Sequence, residues 1–107
     1  MRRGDLVTIA LQGTYGKPRP ALVIQSDLVA EHPSVTVLPV TSELRDTPLF
    51  RILVEPNVTN GLRKTSQIMT DKVQTVQREK IEEVFGRMSE EDMLAVSRAL
   101  AVFLSVV

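Results

Sequence analysis

The chain has 107 residues, one small domain's worth, and Leu, Ile, Val and Phe make up about a third of it, well above the roughly 20% below which disorder is the default. Thirteen Lys and Arg balance thirteen Asp and Glu, so no global field draws the molecule onto nucleic acid or an anionic membrane, and any polyanion must be held by a local patch. The lack of cysteine excludes disulfides, thiolate metal sites and thiol nucleophiles together.

Fifteen valines against four aromatic residues lean the apolar content towards strands. Leu6-Val7-Thr8-Ile9-Ala10-Leu11, bounded by Gly4-Asp5 and by Gly13 to Gly16, reads as a mostly buried strand followed by a glycine loop. Pro18-Arg19-Pro20 excludes helix, because proline fixes φ and drives its predecessor to extended geometry, so Ala21 to Gln25 continues as a second strand. His32-Pro33-Ser34 punctuates the chain before a third strand, Val35 to Val40, whose Pro39 marks an edge, a bulge or an end. Phe50 to Glu55 is a fourth strand, closed by Pro56-Asn57 and Asn60-Gly61, and Ser66 to Thr70 a fifth. Lys72 to Val76 alternates polar and apolar and extends the sheet past Asp71. Ile81 to Met88 is ambiguous: Ile81, Val84, Phe85 and Met88 fit a helical stripe, and Gly86 argues against one. Ser89 then caps a helix whose first turn carries Glu90, Glu91 and Asp92, with Met93, Val96, Leu100, Phe103, Leu104 and Val107 along its apolar face. Several strands and one helix make a mainly β, α+β chain: a curled, largely antiparallel sheet or small barrel with a helix packed on it, in a single domain over residues 1–107. The opening residues are too short and too polar a run for a signal peptide, and no stretch approaches the ~18 apolar residues of a membrane span; the expectation is a cytoplasmic protein with no membrane partner.

Most catalytic signatures are missing. The single histidine, His32, sits beside a proline in a loop, where a solvated turn residue is the commoner reading than a triad member. One His without Cys makes no transition-metal site, and neither a GxGxxG nor a P-loop lysine motif occurs, so no metal or other cofactor is expected. What remains is a set of cationic and hydroxyl groups at strand ends. Gln12, Tyr15, Lys17 and Arg19 fall on or beside the glycine loop, and the prolines either side of Arg19 hold it in an orientation that suits bidentate hydrogen bonding to a phosphate. In isolation an idle surface arginine is the commoner case. Thr41-Ser42 places two hydroxyls directly after the third strand, which is also a plain turn signal. Asp71 interrupts the strand rhythm as either a functional carboxylate or a bulge.

Arg3-Gly4-Asp5-Leu6-Val7, Gly16-Lys17-Pro18-Arg19-Pro20-Ala21-Leu22-Val23-Ile24-Gln25 and Leu38-Pro39-Val40-Thr41-Ser42, in that order and spacing, resemble the MazF/PemK (Kid) toxins of bacterial toxin–antitoxin systems. The run from Ser66 to Val76 resembles that family's strand with an acidic residue ahead of a Q-x-x-(T/S) pattern. The likeness spans essentially the whole chain. It implies an SH3-like barrel of the MazF/CcdB type, in which Ile81 to Met88 is a last strand, and a homodimer that cleaves single-stranded RNA at a short sequence without metal. Under it Arg19 and Thr41 match the catalytic arginine and threonine, and Asp71 matches an acidic substrate contact. Cleavage by the RNA's own 2′-OH demands charge stabilisation on a crowded phosphorane, a task for Arg19 and Thr41; a guanidinium keeps its proton and is no simple base. Several family members carry a glutamate five residues before the arginine, where this chain has Thr14, and the Kid branch has an arginine where this chain has Met69. Gln12, Tyr15, Lys17, Ser42 and Asp71 are the expected substrate contacts, with Arg45, Arg51, Arg63 and Lys64 as further cations for RNA. The implied protein partner is an acidic, partly disordered antitoxin segment competing for the RNA groove. The alternative is a CcdB-like gyrase poison on the same fold, against which the tryptophan-free ending Leu104-Ser105-Val106-Val107 argues.

Overall fold

In the computed structural model, which describes residues 1–10, 17–47 and 49–106, seven strands precede one helix. The strands are β1 (Asp5–Ile9), β2 (Arg19–Val23), β3 (Ser34–Thr41), β4 (Arg51–Val54), β5 (Ser66–Met69), β6 (Gln74–Gln77) and β7 (Ile81–Arg87), and the helix is α1 (Glu90–Leu104). All pairings are antiparallel, and the strands run in the order β4-β5-β3-β2-β1-β7 with β6 as a branch on β3. The expected small antiparallel sheet with a C-terminal helix is therefore present, but β4 and β7 end the path without pairing, so the sheet stays open where a closed barrel would join them.

The long strand β3 organises the sheet. One of its edges pairs with β2, while the other is shared: Ser34 to Val37 pair with β6, and Val40 and Thr41 pair with β5. Pro39, which has no N–H to give, stands in the gap where the ladder passes from β6 to β5. The break at Asp71 is neither a bulge nor a continuing strand: Lys72 N–H donates to the Met69 carbonyl at 3.2 Å, a tight turn joining β5 to β6. Gln25, expected to close the second strand, lies just outside it and ties the next loop down, accepting from Thr36 N–H and donating to the Val29 and Ser34 carbonyls.

Strands in the middle of the sheet are apolar on both faces, which is why β1 reads as a continuous run. Leu6, Leu22, Leu38, Val40, Ile68 and Val54 face one side, where Val96, Met93 and Leu100 of α1 and Met88 pack on them. Val7, Ile9, Ala21, Val23, Val35, Val37 and Val76 face the other, with Ile81 against them. Ser89 caps α1 as expected, its hydroxyl accepting from Asp92 N–H at 3.0 Å. The apolar stripe of α1 is shorter than expected: Leu104 stays half exposed and Phe103 leaves the core, meeting Phe50 edge to face at 5.9 Å between ring centroids. Val107 lies outside the described residues. Among those described, no helix is long and apolar enough to cross a membrane.

The ambiguous segment is strand β7, paired with β1. Gly86, which counted against helix, is there for a contact: a Cβ on it would stand 2.0 Å from the Asn60 carbonyl oxygen. Asn60 is buried and is the hub of the loop between β4 and β5. Its side chain accepts from Asn57 and Leu62 N–H and donates to the Glu55 carbonyl. Loop and strand are thus pressed backbone to backbone. Gly86→Ala is expected to destabilise the protein by more than about 3 kcal/mol, since neither backbone can withdraw. Urea denaturation checks this; a loss under about 1 kcal/mol would contradict the contact.

Candidate nucleic-acid interface

The site starts from the β2–β3 ladder. Ala21 faces Pro39, Leu22 faces Leu38 and Val23 faces Val37, and both strands continue in extended form to Arg19 and Thr41. The β2–β3 ladder ends at Ala21 opposite Pro39, so Arg19 and Thr41 each lie two residues beyond it, at the same end of the two strands. Thr41 in turn faces Gln67 on β5, and Arg19 faces Ile9 on β1. Cross-strand partners share a face of the sheet, so Thr41 shares a face with Gln67, and Arg19 with Ile9. Arg19 is exposed; Gln67 is buried.

Thr41 is also on the wall of an open groove of about 530 Å³, together with Ser42 and with Pro18 and Pro20, the two neighbours of Arg19. Arg63 and Lys64 line it as well, and Thr8, Glu83 and Phe85 form the β1–β7 side. Its volume lies within the ~300–1,000 Å³ of ordinary ligand pockets. Arg19 itself is not part of the wall: alternation along β2 turns it to the face of Ala21 and Val23 while the prolines face the groove. Arg19 is thus adjacent to the groove along the chain, between two prolines that line it. The Thr41 hydroxyl accepts from Glu43 N–H at 3.0 Å, which uses an acceptor lone pair and leaves the O–H to donate outward.

The remaining cations divide into two groups. Arg51 is committed internally, donating to the Glu43 carbonyl and the Gln67 side-chain oxygen, each at 2.9 Å. Arg45 pairs with Glu43 at 2.9 Å on the surface, where such a pair stabilises by less than about 1 kcal/mol. Gln67 holds this corner: its oxygen accepts from Arg45 N–H as well as from Arg51, and its amide donates to the Arg45 carbonyl. The segment after Thr41 is thereby fastened over β5. Arg63 and Lys64 are the cations at the groove, and Lys17 is exposed next to Pro18.

Not every expected contact gathers here. Asp71 sits in the β5–β6 turn and not on the groove wall, with one carboxylate oxygen 3.7 Å from Lys72 Nζ and the other buried without a partner among the described residues. Gln12 and Tyr15 lie outside the described residues. His32 is a turn residue, its Nδ1 meeting the Ser34 amide and hydroxyl. The sequence reading missed Gln67, a buried polar side chain in an apolar strand, and Glu83, a carboxylate facing a cationic groove; only the first leaves a local sign.

The fold and site together define a small open antiparallel sheet with a helix on one face and a groove that carries Thr41, Arg63 and Lys64. The sequence profile of the PemK-like, MazF-like toxins of type II toxin–antitoxin systems matches residues 2–104, and the chain belongs to that family. It is 49% identical over 107 residues to the probable endoribonuclease MazF of Mycolicibacterium smegmatis, across 99% of this chain and 98% of that one. Its fold is similar to that of a mycobacterial endoribonuclease solved in complex with its cognate antitoxin, at a TM-score of 0.82 and 19% identity over 100% of this chain and 97% of the other. It is similar also to the Mycobacterium tuberculosis toxin MazF-mt6, at 0.81 and 23% identity over 96% and 98% of the two chains. The family match does not favour the gyrase-poison alternative.

Gln67→Leu, close in shape but without hydrogen bonds, is expected to destabilise the protein by about 1–3 kcal/mol, because Arg45 N–H and the Arg51 guanidinium lose their shared acceptor. It should also speed hydrogen exchange at Arg45 while leaving β1 protected; unchanged exchange there would show that Gln67 does not fasten the segment.

Proposed function

We propose that this chain is the endoribonuclease toxin of a type II toxin–antitoxin pair, cutting single-stranded RNA by internal transesterification. The observation that supports the reading is a groove lined by Thr41, by Arg63 and Lys64 and by the two prolines flanking Arg19, at the strand ends that the β2–β3 ladder brings together. The 2′-oxygen of one nucleotide attacks the adjoining phosphorus, the bond from phosphorus to the 5′-oxygen breaks, and the products are a 2′,3′-cyclic phosphate and a 5′-OH end. The 2′ proton leaves with attack, and the departing 5′-oxygen takes one up. Negative charge builds on the non-bridging oxygens in between. Arg19, kept charged and flanked by prolines, neutralises it with two parallel N–H donors, and the Thr41 O–H adds a third. Both act from fixed strand positions, so little reorganisation accompanies the charge.

Arg63 and Lys64 supply sequence-independent attraction for the phosphates on either side, which makes binding salt-dependent. Lys17, Ser42, Gln12 and Tyr15 are the further contacts proposed from the strand ends, and Asp71 is proposed to meet substrate outside the groove. The working unit is proposed to be a homodimer in the cytoplasm, restrained by an acidic antitoxin segment that covers the cationic groove. Support for the activity comes from the M. smegmatis relative, named a probable endoribonuclease, and support for the partner from the mycobacterial neighbour solved with its antitoxin.

The purified protein is expected to cut unstructured RNA in the presence of EDTA. Arg19→Ala should slow cutting by more than about 10³-fold and Thr41→Val by about 10²-fold, the losses typical of removing oxyanion donors, with folding unchanged by circular dichroism. Rates on a fluorogenic RNA measure this; an Arg19→Ala variant that cuts at the wild-type rate would remove Arg19 from the mechanism.

A further inference from the structure

We infer that Glu83 and Phe85 form a nucleobase-reading site on the β7 side of the groove, with guanine as the base it selects. The inference rests on the RNA-cleavage reading and adds the feature of the substrate that this wall recognises. Glu83 lines the same groove as Thr41, Arg63 and Lys64, yet its charge opposes the phosphates the two cations attract. A carboxylate in that place must have another partner. No other carboxylate lines the groove among the described residues, and residues 11–16 contain neither Asp nor Glu.

Distance separates its role from the chemistry. Glu83 faces Thr8 on β1, Thr8 faces Pro20 on β2, and β2 pairs with β3, so Glu83 stands three strands from Thr41. At the usual strand spacing that is about 14 Å along the sheet. A general base must come within about 3 Å of the 2′-OH, which belongs to the sugar carrying the scissile phosphate. That path is an upper bound, since both residues line one groove, and on the proposed reading Glu83 meets the base of a neighbouring nucleotide. At neutral pH a carboxylate offers acceptors only, and guanine alone among the four bases presents two adjacent donors, N1–H and the 2-amino group, on its Watson–Crick edge. Adenine and cytosine set a ring acceptor beside their amino group, and uracil flanks its single N–H with two carbonyls; each brings a lone pair against the carboxylate.

Phe85 gives the stacking surface that unpaired bases require. It lines the groove two residues from Glu83, next to Gly61. A Cβ at Gly61 would stand 2.5 Å from the Phe85 carbonyl and 3.2 Å from its ring, so the glycine lets backbone brace the ring while adding no side chain over it.

The test is cleavage of a randomised single-stranded RNA pool followed by sequencing of the 5′-OH ends. Wild type should enrich guanine at one fixed offset from the cut. Glu83→Gln should cut that enrichment at least tenfold while preferences at other positions keep their order, and Phe85→Leu should weaken cutting of guanine-bearing sites without changing the preferred base. Cutting with no guanine enrichment at any offset would overturn the inference, and this outcome needs no variant. So would a Glu83→Gln profile equal to wild type, or an equal fall in cutting at every site by a folded Glu83→Gln protein whose residual pH–rate profile is flattened, which would make Glu83 the base. A wild-type protein that leaves the pool whole refutes the cleavage reading itself and not only this site.

Discussion

The antiparallel register between β2 and β3 is the constraint on which the site depends. It is fixed by burial: Leu22 and Leu38 face each other in the core beneath α1, and Ala21, Val23 and Val37 fill the opposite face. A slip of one residue would turn every one of these side chains to the wrong side of the sheet, so register here is strongly specified. That packing brings together the strand ends that carry Arg19 and Thr41, although neither residue belongs to the core. Precision at the rim is thus a by-product of hydrophobic order a few residues away.

A second, polar constraint acts on the chain after Thr41. That segment has little apolar content to bury, and hydrogen bonds hold it instead, through the Gln67 amide and the Arg51 guanidinium. Two of the cations that composition offers to a polyanion are therefore engaged in structure, Arg51 with Gln67 and the Glu43 carbonyl and Arg45 with the Glu43 carboxylate. The groove draws instead on Arg63 and Lys64, delivered by the loop that Asn60 organises. In a molecule of zero net charge, which arginines stay unengaged decides where an anion can dock.

Much of this was legible in the residues. Short apolar runs between glycine and proline gave β1 to β5 nearly in place, because strands buried on both faces need no alternation to be seen. The start of β2 lies two residues earlier than expected, since the extended Arg19 and Pro20 already pair with β1. β7 was undecidable locally because Gly86 answers to Asn60, far away in sequence. The α1 cap was plain from Ser89 to Asp92, but the destination of Phe103 depends on Phe50. Arg19 and Thr41 were visible as candidates through their prolines and strand-end position. The roles of Gln67 and Glu83 were not, for they arise only when the fold carries residue 67 to 45 and 51, and residue 83 to the groove.

The tight seam between the Asn60 carbonyl and Gly86 has a mechanical corollary. It welds the loop preceding Arg63 and Lys64 to the strand bearing Glu83 and Phe85, so two banks of the cleft travel as a single rigid jaw. Such a jaw has a set gape and works as a calliper. On the proposed reading a lone, unpaired strand passes between its tips, whereas a duplex would have to melt before entering.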